Sequence, residues 1–197
     1  SGKWLATLTV ESALVYNLDD QQTIETGKHH NISRLEISPD ARYLVTTTWH
    51  GQGVKLWDAT TGKLLQDLMP KAKNGWTSFS PDGKWLAYSS LEADYIWDTA
   101  TWTPKIIERG DYQGNDERVV FSPDSSLMLL FRTTFQPRLV SVATGQEIAV
   151  LESPKGFNGV PVFSRDGSKI ILAGQSKINI WNLTKLRREL GDIGLDW

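Results

Sequence analysis

The sequence predicts an all-β chain in which one small antiparallel sheet is repeated about five times. Three observations carry this expectation. A turn signature recurs as SPDA at Ser38–Ala41, SPDG at Ser80–Gly83, SPDS at Ser122–Ser125 and SRDG at Ser164–Gly167, and the first residues lie 42 apart each time. An aromatic ending follows, as KLWDATTGKLL from Lys55, YIWDTATWTPKII from Tyr95 and INIWNLTKL from Ile178. The segments between these marks are short, alternate apolar with polar residues and favour β-branched and aromatic types, bounded by Gly, Pro, Asn and Asp.

The endings place Trp57, Trp97 and Trp181 at one repeat position. Ser141 in LVSVATGQEI and Asn17 in LVYNLDDQQT are read into the same slot, giving spacings of 40, 40, 44 and 40. A turn of the FSPDG type followed by an L/I-W-D ending, as from Phe79 to Asp98, resembles the WD-repeat β-propeller family, whose unit is one four-stranded blade with a period of roughly 40 to 45 residues. The resemblance runs from Trp4 to about Leu190. It implies a β-propeller of four-stranded antiparallel blades with about five WD repeats, the first incomplete. The blades fall near residues 1–27, 31–68, 74–108, 117–151 and 159–190, with a tail over 191–197.

In chain order, Ser1 to Ala6 aligns with Asp82 to Ala87, so the first unit is expected to start inside a turn, as in a piece of a longer protein. Trp4–Val10, Ala13–Asn17 and Thr23–Glu25 are its strands. The second unit takes Arg34–Ile37, Tyr43–Thr48, Val54–Trp57 and Leu64–Leu68, with Gly62 supplying the positive-φ position of the last hairpin. The third takes Trp76–Phe79, Trp85–Tyr88, Tyr95–Trp97 and Pro104–Ile107, where Pro104 suits an edge strand because it offers no donor. The fourth takes Arg118–Phe121, Met128–Arg132, Arg138–Val142 and Glu147–Leu151. The fifth takes Val160–Phe163, Lys169–Ala173, Ile178–Trp181 and Leu186–Leu190; the Leu183, Leu186, Leu190, Ile193 spacing also fits a short amphipathic helix with Gly191 near its cap. Pro39, Pro81, Pro123, Asp82 and Asp166 are structural turn positions, and the tryptophans of the endings are core.

Composition removes several function classes. With 21 basic against 23 acidic residues and a net charge of −2, nothing draws the whole chain to nucleic acid or an anionic membrane. There is no cysteine, so disulfides and thiolate metal sites are excluded. No apolar run approaches the roughly 20 residues of a membrane span, and no signal peptide opens the chain, so a cytoplasmic setting is expected over a secreted one. The three histidines, His29, His30 and His50, stand near no G-x-S-x-G elbow, and His29–His30 is read as surface loop because neighbours on a strand face opposite ways. The pairs Asp19–Asp20 and Asp116–Glu117 are read as solvated loops, and no glycine-rich phosphate motif occurs. No enzyme activity, metal or cofactor is expected.

Members of the resembled family carry Gly-His ahead of the inner strand and an Asp in the turn before the Trp. Here the Asp position holds Glu11, Gly51, Leu91, Phe135 and Gln175, so that polar network is expected to be mostly replaced by apolar packing. One constellation follows from the repeat itself. Four residues before each turn serine stand Arg34, Trp76, Arg118 and Val160, which in a propeller form a ring on the inner strands around the central channel. Arg34, Trp76 and Arg118 are candidate partner-binding residues for an acidic peptide or an anion; the plainer reading pairs Arg34 with Glu36 and Arg118 with Glu117 along the wall. Lys73, Trp49 and Phe157 are weaker additions at the mouth.

The resemblance implies a non-catalytic protein-interaction scaffold that presents loops and channel face to protein or peptide partners, with no nucleic-acid or membrane partner. The alternative is an accessory or regulatory propeller of a larger enzyme, such as a bacterial serine/threonine kinase or a propeller-gated hydrolase. The charged leucine-rich ending from Leu183 to Trp197 resembles the close of WD-repeat regions in large multidomain bacterial proteins. Such propellers close by sharing a blade between first and last repeats, so about five units imply exposed terminal blades and self-association through open blade edges.

Overall fold

The computed structural model describes residues 3–50, 53–90, 92–107, 118–131, 137–151, 160–173, 177–192 and 194. The strands form five antiparallel sheets in sequence order. The first holds β1 (Trp4–Leu8), β2 (Ala13–Asn17) and β3 (Thr23–Glu25). The second holds β4 (Ile32–Ile37), β5 (Tyr43–Thr48), β6 (Val54–Asp58) and β7 (Leu64–Met69). The third holds β8 (Trp76–Phe79), β9 (Trp85–Ser89), β10 (Asp94–Asp98) and β11 (Thr103–Ile107). The fourth holds β12 (Val119–Phe121), β13 (Leu127–Leu130), β14 (Arg138–Ser141) and β15 (Glu147–Val150). The fifth holds β16 (Val162–Phe163), β17 (Lys169–Ala173) and β18 (Ile178–Asn182). Each sheet is a blade, and β4, β8 and β12 lie against one another as the inner strands.

The recurring turn is built the same way four times. The turn serine donates to the aspartate two residues on, at 2.6 Å in Ser38–Asp40, Ser80–Asp82, Ser122–Asp124 and Ser164–Asp166. The same hydroxyl accepts the N–H that opens the next strand, from Tyr43, Trp85, Leu127 and Lys169. The fourth turn residue is left-handed throughout, with φ of 57° at Ala41, 72° at Gly83, 63° at Ser125 and 70° at Gly167. Pro39, Pro81 and Pro123 preset φ at the second position, which Arg165 takes in the last copy. Successive turns also touch, since the Asp82 N–H donates to Ser125 Oγ at 3.1 Å.

Between blades the core follows a strict alternation. Each blade carries a front cross-strand pair on its second and third strands: Leu5–Tyr16, Leu44–Trp57, Leu86–Trp97, Met128–Val140 and Ile170–Trp181. One residue along, on the opposite face, is a back pair: Ala6–Val15, Val45–Leu56, Ala87–Ile96, Leu129–Leu139 and Ile171–Ile180. Leu44 and Trp57 pack on Ala6 and Val15, Leu86 and Trp97 on Val45 and Leu56, Met128 and Val140 on Ala87 and Ile96, and Ile170 and Trp181 on Leu129 and Leu139. Trp57, Trp97, Phe79 and Phe121 are buried, while Trp181 and Phe163 are half-buried at the last junction. Full burial of one such side chain contributes about 1.5–3 kcal/mol, so these four junctions carry much of the cohesion among blades.

Three expectations are corrected here. Ser141 and Asn17 do not occupy the tryptophan slot: pairing puts Val140 and Tyr16 there, and Ser141 and Asn17 align with Asp58 and Asp98 one residue later. Residues Leu186–Leu190 are not a strand, because α1 spans Leu183–Gly191. Asn182 caps that helix by accepting the Lys185 N–H, Lys185 and Glu189 form an i,i+4 pair, and Leu183 and Leu186 pack into the core of blades four and five. The segment has good helix formers and no β-branched residue beyond Thr184, so local propensity prevails once the sheet offers no further neighbour.

Candidate functional site

The inner strands set three tiers of side chains around the axis. Arg34 in β4 and Trp76 in β8 occupy the tier at the end where these strands begin, with Arg118 just ahead of β12. The structure brings the first two together, the Arg34 guanidinium carbon lying 4.0 Å from the Trp76 ring centroid. Arg118 stands instead over Phe131, at 5.4 Å. Stacking of this kind is worth about 0.5–2 kcal/mol and holds a cation in a fixed orientation with its edge N–H groups directed away from the ring. Val160 at the fourth position is exposed.

The next tier holds Glu36, Ser78, Val120 and Val162. The Glu36 carboxyl does not pair with Arg34. Burial pushes its pKa up to about 7, and the Phe79 N–H and the Ser78 hydroxyl offset only part of that. Glu36 therefore ties β4 to β8, leaving the arginine tier above it to the aromatic ring. The expected partner of Arg118, Glu117, lies outside the described residues, as does Phe157. Trp49 follows β5 at the same end of the sheet, with its N–H donating to Asn31 O at 3.4 Å, and its side chain is 55% exposed. Lys73 is exposed in the loop leading to Trp76, and its carbonyl accepts the Tyr88 hydroxyl at 3.2 Å.

Two buried clusters escaped sequence reasoning. His29 is not in a surface loop but 2% exposed, with Nδ1 2.7 Å from Thr46 Oγ1, and the Trp57 indole N–H donates to the same oxygen at 2.8 Å. The polar network expected to be largely absent is thus present in blade two. The alternation of neighbouring side chains was the available signal: His29 points in, and His30 points out to Glu11 at 3.1 Å. Glu11 also holds Lys28, which together with His30 keeps its carboxyl below the usual range. The other four residues at the expected Asp position lie outside the described residues.

In blade three Tyr88 takes the place of Thr46, stacks edge-on with Trp97 and donates its hydroxyl to Lys73 O and Asn74 O. Gly75 makes room for it, since a β-carbon there would sit 2.1 Å from Tyr88 Cε2. Gly75 therefore sets the approach of the loop that carries Trp76.

The chemistry open to this arrangement is binding. The His29–Thr46 pair is sealed from solvent, with Thr46 at 0% exposure, so no substrate reaches that hydroxyl. Among the described residues no cluster of three His, Asp or Glu side chains could hold a metal, and no helix is long and apolar enough to cross a membrane. The cavities lie elsewhere, the largest being a groove of about 1050 Å³ between α1 and the Ala143–Gln146 hairpin.

Known proteins place the fold. The β-propeller domain of Myceliophteria thermophila Cps50 (Swd1) superposes with a TM-score of 0.70 at 17% identity, covering 92% of this chain and 62% of that domain. The B-type component of eukaryotic translation initiation factor 3 is 27% identical over 106 residues in Xenopus laevis and 24% identical over 103 residues in Culex quinquefasciatus. These matches cover 50% and 51% of this chain but 15% of each relative, so the chain corresponds to a small part of those proteins. No protein-family model matches the chain. The chain is thus an all-β propeller of antiparallel blades, similar to WD-repeat propellers.

Proposed function

We propose that this propeller is a non-catalytic protein-binding platform and that its channel mouth takes an acidic peptide segment. The observation that carries the reading is Arg34 held flat on Trp76 at the start of the inner strands, in the tier that also contains Arg118. Two guanidinium groups and an indole in one ring supply the donors and contact area that anchor interfaces. Glu36 does not cancel that charge, because it keeps its proton up to about pH 7. Protein binding is also the role that WD-repeat resemblance implies.

The test is fluorescence anisotropy with a labelled oligoglutamate peptide and the double variant Arg34→Ala/Arg118→Ala. The wild type binds with an affinity that falls as salt rises. The double variant loses roughly tenfold or more, the equivalent of about 1.4 kcal/mol. Equal affinity in the two proteins, or binding indifferent to salt, rules out the channel mouth.

A further inference from the structure

We infer that the chain associates head to tail with a second copy of itself, the open face of its last blade receiving the open face of the first blade of its neighbour. The inference is independent of the channel mouth and rests on how the blades already meet. Four times within the chain the front pair of one blade packs on the back pair of the blade before it. Five front pairs and five back pairs make four such junctions, so one of each is left over. The unused front pair is Leu5–Tyr16, and the unused back pair is Ile171–Ile180.

Both leftover faces are apolar and open. On the last blade Val162 is 53% exposed, Ile180 55% and Ile178 67%, and register places Val162, Ile171 and Ile180 in one row across β16, β17 and β18. On the first blade Leu5 is 57% exposed beside Tyr16, with Leu14 on the same face. Tyr16 holds the slot that Trp57 and Trp97 fill at the internal junctions, so the first blade offers the same kind of knob that the last blade is shaped to accept. The rims differ in charge in a matching sense: Lys177 leads into β18 at the end of the sheet where Glu25 closes β3, and Lys169 stands at the end where Asp20 lies. A front face and a back face are different surfaces, so the contact is heterologous. Each added copy presents a fresh back face, and the assembly extends unless its rotation closes a ring.

Sedimentation velocity over a concentration series tests this with Leu5→Asp and Ile180→Asp, both at exposed positions, so that circular dichroism and the melting temperature of each variant should match the wild type. The wild type is expected to grow past a dimer as concentration rises. Each variant alone should remain monomeric, and an equimolar mixture should stop at a dimer, because only one intact front and one intact back remain between them. A wild type that stays monomeric at every concentration overturns the inference. So does a Leu5→Asp protein that still self-associates, which would mean that like faces pair, and so does a mixture that stays monomeric.

Discussion

Glu36→Gln is the perturbation whose outcome the structure sets most narrowly. Glu36 sits on an inner strand, and burial pushes its pKa from 4.5 in the unfolded chain to about 7. Between those values the folded protein holds a proton that the unfolded chain has lost, so stability falls as pH rises through the interval. Glu36's neutral form is fully favourable below pH 4.5, and the penalty is complete above about 7. The interval corresponds to about 3 kcal/mol. Glutamine cannot ionise and can still accept from Phe79 N–H and Ser78, so the variant should match the wild type in acid and exceed it by up to about 3 kcal/mol in alkali. For a chain of this size that is a rise in Tm of about 6–12 °C. Thermal melts followed by tryptophan fluorescence on both sides of the interval measure it. A Glu36→Gln protein less stable than wild type above pH 7, or one whose advantage does not change with pH, would refute burial as the controlling influence on this carboxyl.

Further expectations follow from the same contacts. Thr46→Val removes the acceptor of the Trp57 indole N–H and a partner of His29, and should cost about 2–4 kcal/mol in urea unfolding, with Thr46→Ser restoring most of it. Gly75→Ala and Gly83→Ala separate two reasons for glycine. The first puts a methyl 2.1 Å from the Tyr88 ring and should cost about 3 kcal/mol or more, whereas the second meets only Pro39 at 3.8 Å and should cost about 1 kcal/mol of left-handed strain, also measured by urea. At Asp166, hydrogen bonds from Ser164 and Ser168 lower the carboxyl to about 2, so the turn contributes stability that is lost as pH falls from 3.8 through about 2. Asp166→Asn should lack that acid-side loss in a pH series of melts.

The repeat made most of the strands legible, because the turn chemistry is local. A serine, an aspartate two residues on and a left-handed fourth position are all close in sequence, and they recur every 42 residues. The tryptophan slot was harder to place. Its distance from the turn varies with the intervening loop, and a slip of one residue moves a side chain to the other face of the sheet. Val140 and Tyr16 are therefore fixed by pairing with Met128 and Leu5, which motif spacing does not see. The arginine–tryptophan contact was half legible: a constant offset from the turn put Arg34 and Trp76 in one tier, but their stacking depends on how two blades dock. That Glu36 bonds across to blade three and not along its own strand is likewise a tertiary fact. The helix after Asn182 was readable as one of two patterns, and the choice depended on whether the sheet continued.

Whether the channel mouth is the binding surface turns on the indole N–H signals of the nine tryptophans in a ¹⁵N-labelled sample titrated with oligoglutamate peptide, assigned by single Trp→Phe substitutions. The Trp76 signal should move in proportion to occupancy, while those of buried Trp57 and Trp97 stay in place. A Trp76 signal that stays fixed while the peptide binds would place the interaction elsewhere on the propeller.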